Sequence, residues 1–174
     1  MTKMTHTFKA AAVLLFAGLS ASAAQANSMS YDIGPEMSYA DTCFARNYTQ
    51  PHLRANPAQQ VTRIALAAID RGADRPNMPS HQSEFLIAIQ TRAGGGWHSR
   101  LAVCSFARGD SMNCGIESDG GHFTIVNRPD GGVMIRAQGE LRIGDEGGPE
   151  IGGRISDDNV FILQPAACDR GRSR

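Results

Sequence analysis

The sequence predicts a mainly β fold, either an antiparallel β-sandwich or a small barrel, stabilised by disulfides. Three observations lead to this prediction. Short apolar runs recur from residue 84 onward, turns rich in glycine and aspartate separate them, and the chain holds four cysteines. Many short strands at regular spacing are typical of sandwiches and barrels. The part of the 174-residue chain that follows residue 26 has the length of a single domain.

Residues 1–26 have the features of a cleaved export signal. The start is short and basic, residues 10–19 are apolar, and Ala24 and Ala26 occupy the positions that a signal peptidase recognises. The apolar run is too short to span a bilayer. We therefore expect a mature protein that is soluble, has no membrane span, and is periplasmic or secreted.

The remaining chain divides into three parts. Residues 27–41 are polar and predict a flexible leader, residues 42–168 predict a single β-rich domain, and residues 169–174 predict a polar tail. Early in the domain, Pro51 limits any helix to a short turn. Residues 59–69 fit helical spacing as well as a buried strand, and the β pattern of the rest of the chain favours the strand.

Later strands are predicted from alternating or continuous apolar runs bounded by turn residues. They cover residues 85–89, 101–106, 112–116, 123–126, 133–135, 141–143 and 160–163. The stretch 144–153 is rich in glycine and acidic residues, and it predicts a mobile loop.

The four cysteines allow three connectivities, of which geometry favours one. A tight loop at residues 108–110 would place Cys104 opposite Cys114 on antiparallel strands, close enough for a disulfide. The second pair, Cys43 with Cys168, would then join the start of the domain to its end. The sequence has no Cys-x-x-Cys motif and no spacing of cysteine and histidine typical of zinc sites.

The charge pattern excludes several classes of function. The chain has 17 basic and 17 acidic residues, and both lysines, Lys3 and Lys9, lie in the predicted signal. A nearly neutral mature chain without a basic cluster argues against binding nucleic acid or an anionic membrane surface. The absence of lysine excludes a phosphate-binding P-loop and Schiff-base chemistry. We expect no cofactor.

The densest polar group contains Glu117, Asp119 and His122. Two carboxylates and an imidazole could bind a metal ion or transfer a proton. In the alternative interpretation, Asp119, Gly120 and Gly121 form a turn, Glu117 is solvated, and His122 begins the next strand. Neither a paired-histidine metal motif nor a nucleophilic serine motif supports the catalytic interpretation.

Two further features have competing interpretations. Residues 144–150 could bind calcium through oxygen atoms, but they lack the ligand order of an EF-hand loop and are equally typical of a solvated loop. Trp97 follows three glycines, so it is either an exposed recognition residue or a partly buried aromatic beside a loop.

Short motifs spread over most of the mature chain resemble a set of small secreted bacterial proteins without assigned function. They are Cys43-Phe44-x-Arg46-x-Tyr48, His52-Leu53, Pro57-x-Gln59-x-Val61, Cys114-x-x-Glu117-x-Asp119-Gly120-Gly121-x-Phe123 and Asp157-Asp158-x-Val160-Phe161-x-Leu163. This chain has Asn56 where the set has histidine. The resemblance implies a β-rich exported domain with a strand from Val61 to Ala67, and it implies no activity.

Taken together, these observations predict a monomeric, non-enzymatic protein that binds a protein or envelope partner, such as a periplasmic protein, a protease or a lysozyme. The absence of a catalytic motif and the rigid oxidised scaffold with contact loops favour this function. The alternative is a hydrolase or a metal-binding module centred on Glu117, Asp119 and His122.

Overall fold

The computed structural model describes residues 40–69, 81–107, 109–145 and 147–167. The predicted signal, most of the predicted leader and the predicted tail lie outside these residues. Within them, eight antiparallel strands form a closed barrel. Of the two β architectures that the sequence allowed, the molecule adopts the barrel. No helix in the described ranges is long and apolar enough to cross a membrane.

The barrel is a meander in which each strand pairs with its neighbours and the first strand pairs with the last. Its strands are β1 (Ala40–Asn47), β2 (Val61–Ile69), β3 (Gln82–Thr91), β4 (His98–Phe106), β5 (Ser111–Ile116), β6 (His122–Asn127), β7 (Val133–Ala137) and β10 (Val160–Ala166). A short helix, α1 (Gln50–Ala55), joins β1 to β2, and a separate hairpin of β8 (Glu140–Arg142) and β9 (Glu150–Gly152) lies between β7 and β10.

Large apolar side chains fill the barrel, as expected for eight strands, whose interior is just wide enough for side chains. The most completely buried are Phe123, Phe161, Ile64, Leu66, Ile87, Ile89, Ile135 and Leu163. The hairpin contributes Leu141 and Ile151 to the same cluster. A ligand would therefore bind on the outside of this barrel or at its ends.

One end of the barrel carries α1 and the hairpin of β8 and β9, and we call it the α1 end. Because the strands form a meander, the connections β1–β2, β3–β4, β5–β6 and β7–β10 all lie there. The opposite end carries the connections β2–β3, β4–β5 and β6–β7. Loops that share one end of a rigid barrel are well placed to contact a partner together.

The first part of the domain differs from its prediction. The expected helical turn is present as α1, with Pro51 in its first turn and the Thr49 side chain accepting a hydrogen bond from the His52 N–H. A strand, β1, was not predicted; it begins at Ala40, two residues before the predicted start of the domain. Its pattern is hard to recognise because Arg46 follows Phe44 on the inward side.

Two other segments also test the predictions. Residues 61–69 form a strand, which confirms the favoured interpretation of the ambiguous stretch. The prediction that residues 144–153 form a loop throughout is wrong at its end, where Glu150–Gly152 forms β9 and pairs with β8. Its single central apolar residue, Ile151, gives too little alternation to predict a strand.

The disulfide between Cys104 and Cys114 confirms the predicted pairing. The two residues lie directly opposite each other on β4 and β5, and the Ala107 N–H donates to the Ser111 carbonyl at 2.9 Å to close the intervening loop. Cys43 is also disulfide-bonded. Its predicted partner, Cys168, lies outside the described residues.

Candidate functional site

The predicted cluster of Glu117, Asp119 and His122 lies at the α1 end, in and beside the connection between β5 and β6. This connection is a turn, with Ser118 at a φ of 62° and Gly121 at 88°. Its backbone is fixed to the hairpin, because the Arg142 N–H donates to the Gly120 carbonyl at 3.0 Å. The turn interpretation of this stretch is therefore confirmed.

Asp119 forms an ion pair with Arg142, which also binds Glu150 across the hairpin. Arg142 Nε lies 3.0 Å from Glu150 Oε1. One guanidinium therefore bridges two carboxylates, one from the β5–β6 connection and one from β9. All three side chains are substantially exposed, so the network contributes modestly to stability.

These charges line a polar cleft of about 560 Å³ between the barrel wall and the hairpin. Its lining residues are Arg100, Ser118, Asp119, Arg142, Asp145, Gly147, Gly148 and Glu150. Arg100 donates to the Gly144 carbonyl, so it supports the rim of the cleft. Because cations and carboxylates of this lining are paired with each other or with the backbone, the cleft has no strong preference for an ion of either sign.

The structure does not assemble the predicted site. His122 lies on the barrel wall, paired with Gly115, and it is absent from the cleft lining together with Glu117. Among the described residues, no three histidine, cysteine, aspartate or glutamate side chains are placed to hold a metal ion. The cluster therefore gives no support to a metal-binding module or to a three-residue catalytic centre.

A different feature of the α1 end is the Ile155 loop, residues 153–159, which connects β9 to β10. The Ile155 side chain is 94% exposed, against 62% for Phe106 and 41% for Val160. Its neighbour Arg154 is exposed as well. A single exposed apolar side chain is common on protein surfaces, but one on a fixed backbone can be buried by a partner without the cost of ordering a loop.

Side-chain hydrogen bonds fix that backbone. The Asn159 amide donates to the Gly153 carbonyl at 2.9 Å and to the Ser156 carbonyl at 2.6 Å. The Ser156 hydroxyl accepts from the Asp158 N–H at 2.9 Å. The Asp157 carboxylate accepts from the Ala58 N–H at 3.2 Å, which ties the loop to the connection after α1.

Asp158 is the deepest of these anchors, and it is fully buried. Its carboxylate accepts from the Gln60 N–H at 2.6 Å and from the Val61 N–H at 3.2 Å, where β2 begins. Burial raises the pKa of the Asp158 carboxyl, while the hydrogen bonds from Gln60 and Val61 oppose that rise. The base of the Ile155 loop is thus attached to a barrel strand far away in sequence.

Sequence reasoning missed this loop because it contains one apolar residue and no chemical motif. A signal was nevertheless present. Gly152 and Gly153 precede the apolar residue, Ser156 and Asp157 follow it, and glycine, serine and aspartate all favour turns. An isoleucine in the middle of a turn belongs to no strand, so burial within a sheet does not explain it.

Comparison with known proteins gives no further assignment: no family model, curated protein or solved structure matches the chain.

Proposed function

We propose that this protein acts by binding a partner protein through the Ile155 loop and that it catalyses no reaction. The observation that carries the proposal is the 94% exposure of Ile155 on a loop whose backbone is held by Asn159 and Asp158. Burying a side chain of this size against a partner is worth about 1.5–3 kcal/mol.

Preorganisation of the loop favours binding. A loop that is already ordered loses little conformational entropy when a partner immobilises it. Here Asn159 closes the loop on itself, and Asp158 joins its base to the barrel. The entropic cost of ordering the backbone therefore offsets little of the free energy gained from burying Ile155.

The loop also indicates the chemistry of the partner. The partner needs an apolar pocket that accepts a branched aliphatic side chain, and an acidic rim would complement the exposed Arg154. A protein of the envelope or the extracellular space, such as a protease or a lysozyme, fits this description. We propose that the protein is exported to such a compartment, where disulfides such as Cys104–Cys114 persist.

The test is affinity capture with purified variants from the envelope and secreted fractions of the source organism. We expect a protein that the unaltered chain retains and that Ile155→Ser loses. Phe106→Ser is the matched control, since Phe106 is also exposed but lies at the opposite end of the barrel. Equal retention by Ile155→Ser, or capture of nothing by any variant, contradicts the proposal.

A second measurement addresses the absence of catalysis. The purified chain is assayed with general substrates for esterases, peptidases and glycosidases. We expect no turnover above buffer. Turnover that disappears in His122→Ala or Glu117→Gln would overturn the non-enzymatic proposal and restore the hydrolase alternative.

A further inference from the structure

The polar cleft between the barrel and the hairpin contains hydrogen-bonding atoms that its own ion pairs leave unused. The Arg142 guanidinium is fully engaged, because Nε and one terminal nitrogen bind Oε1 of Glu150 and the other terminal nitrogen binds Oδ2 of Asp119. Within the described part of the chain, the second oxygen of each carboxylate accepts no hydrogen bond. Two carboxylate oxygens therefore remain available to a ligand, and Arg142 holds both carboxylates in place.

Arg100 supplies a cation to the same cleft. One of its terminal nitrogens donates to the Gly144 carbonyl and lies 3.8 Å from an Asp145 carboxylate oxygen, which is beyond hydrogen-bonding distance. Its Nε and its other terminal nitrogen donate to no residue that the structure describes. The Arg100 side chain is 24% exposed and lines the cleft, so these donors can be reached by a ligand.

The walls of the cleft are fixed by contacts within the molecule. At the rim, the Gly148 N–H donates to the Asp145 carbonyl at 2.7 Å and closes the turn between β8 and β9. Behind the rim, Leu141 and Ile151 of the hairpin are at most 2% exposed and belong to the interior cluster. Because the protein is already ordered here, a ligand loses little affinity to ordering its site.

The volume and the lining of the cleft indicate a small polar ligand. The volume of about 560 Å³ lies within the range of about 300–1,000 Å³ that is typical of small-molecule sites. Among the described residues that line it, none is aromatic or a large apolar residue, so burial of apolar surface contributes little to binding. A simple ion would meet charges of both signs. A molecule that carries a carboxylate and an ammonium group can instead form charge-assisted hydrogen bonds with both sets of unused atoms.

We propose that the polar cleft binds a zwitterionic amino-acid compound, which is a free amino acid or a short peptide with unblocked ends. The carboxylate of the ligand accepts hydrogen bonds from the unused nitrogens of Arg100, and its ammonium group donates to the unused oxygens of Asp119 and Glu150. This site is separate from the Ile155 loop and does not depend on binding of a partner protein. It holds the ligand without altering it, in agreement with the proposed absence of catalysis.

Ligands with blocked ends test the proposal on the unaltered protein. The purified chain is incubated with the common amino acids and a library of dipeptides, and bound compounds are identified by native mass spectrometry. Isothermal titration calorimetry then compares each bound compound with its N-acetylated and its C-amidated derivative. We expect a Kd of about 1 mM or tighter for the zwitterion, and binding weaker by about tenfold or more when either end is blocked. Binding of none of these compounds, or equal affinity for the blocked and unblocked forms, overturns the proposal.

Variants then locate the site. Arg100→Gln removes the cation that binds the carboxylate of the ligand, and we expect affinity for the zwitterion to fall by about tenfold or more. Arg128→Gln is the matched control, since Arg128 lies in the β6–β7 connection at the opposite end of the barrel, and it should bind as the unaltered chain does. Ile155→Ser should also bind the zwitterion normally, which separates this site from the proposed partner contact. Equal affinity of Arg100→Gln and the unaltered chain would refute the cleft as the binding site.

Discussion

The two connections that most invite functional interpretation lie at the same end of the barrel and use their polar residues in opposite ways. In the β5–β6 connection, Asp119 is exposed and forms an ion pair with Arg142 on the neighbouring hairpin. In the Ile155 loop, Asp158 is buried beneath the backbone and fastens it to β2. In the first connection the exposed side chain is an aspartate that binds an arginine of the same molecule. In the second connection the exposed side chain is Ile155.

This contrast shows that a density of polar residues in sequence does not by itself locate a binding site. The charge of Asp119 in the β5–β6 connection is neutralised by Arg142 within the molecule. In the Ile155 loop, Asp157 and Asp158 accept hydrogen bonds from backbone N–H groups, and the most exposed large apolar side chain is that of Ile155. The contacts that each polar side chain makes within the molecule therefore determine which connection can bind a partner.

The largest effect is expected from Gly121→Ala, which tests whether the β5–β6 connection is a structural joint. Gly121 has a φ of 88°, and a Cβ there would overlap the Glu140 carbonyl oxygen. We expect a loss of about 4 kcal/mol from the free energy of unfolding, measured by urea denaturation. Gly131→Ala is the control: its φ is 80°, but a Cβ would meet nothing within 4 Å. Equal losses of stability for both variants would contradict the hypothesis that the β5–β6 connection is a structural joint.

Asp158→Ala tests the anchor of the Ile155 loop. It removes the acceptor of the partly buried Gln60 N–H and of the buried Val61 N–H, and we expect a loss of about 3 kcal/mol. Asp157→Ala, which removes one exposed hydrogen bond from Ala58, should cost under about 1 kcal/mol. Urea denaturation measures both, and a neutral Asp158→Ala would show that the loop is held by other contacts.

The role of Asp158 as an anchor also predicts how the free energy of unfolding depends on pH, with a smaller effect. Because burial raises its pKa, the folded protein holds the proton more tightly than the unfolded chain does. The stability that this residue contributes is thus greatest in acid, and it falls as the pH rises through the raised pKa. Relative to Asp158→Asn, the unaltered chain should lose stability as the pH rises above the ordinary pKa of an aspartate. A difference that grows with pH would mean that hydrogen bonding outweighs desolvation.

The smallest effect is expected from Asp119→Ala. Both partners of its ion pair are exposed, and Arg142 keeps its contact with Glu150. The free energy of unfolding should change by less than about 1 kcal/mol, and capture of a partner should be unaffected. A variant that unfolds normally but loses the partner would move the binding site from the Ile155 loop to the polar cleft.

The sequence predicted those strands whose two faces differ in polarity or whose ends carry turn residues. On β3, Phe85, Ile87 and Ile89 alternate and face the interior. On β2, Ile64 to Ala67 form a continuous apolar run because Ile64 and Leu66 fill the barrel, whereas Ala65 and Ala67 belong to a second buried apolar cluster on the other face of the strand. Periodicity cannot separate such a run from a helix, which explains the ambiguity.

The candidate site was less accessible to sequence reasoning. The disulfide between Cys104 and Cys114 followed from strand register, which a short loop determines locally. The attachment of Asp158 to Val61 joins residues 97 positions apart, and no local pattern encodes it. Whether Ile155 is buried or exposed depends on that distant contact, so its role emerges only in three dimensions.

The closure of the barrel has a consequence for how the chain must fold. β1 meets β10 through three residue pairs, Cys43 with Ala166, Phe44 with Pro165 and Ala45 with Gln164. Until β10 has been synthesised, β1 and β7 are open sheet edges and the interior is exposed to water. We expect this pairing of the first strand with the last to limit the folding rate, because contacts distant in sequence form slowly. A chain cut short after β7 would be an aggregating product, even though it retains most of the core.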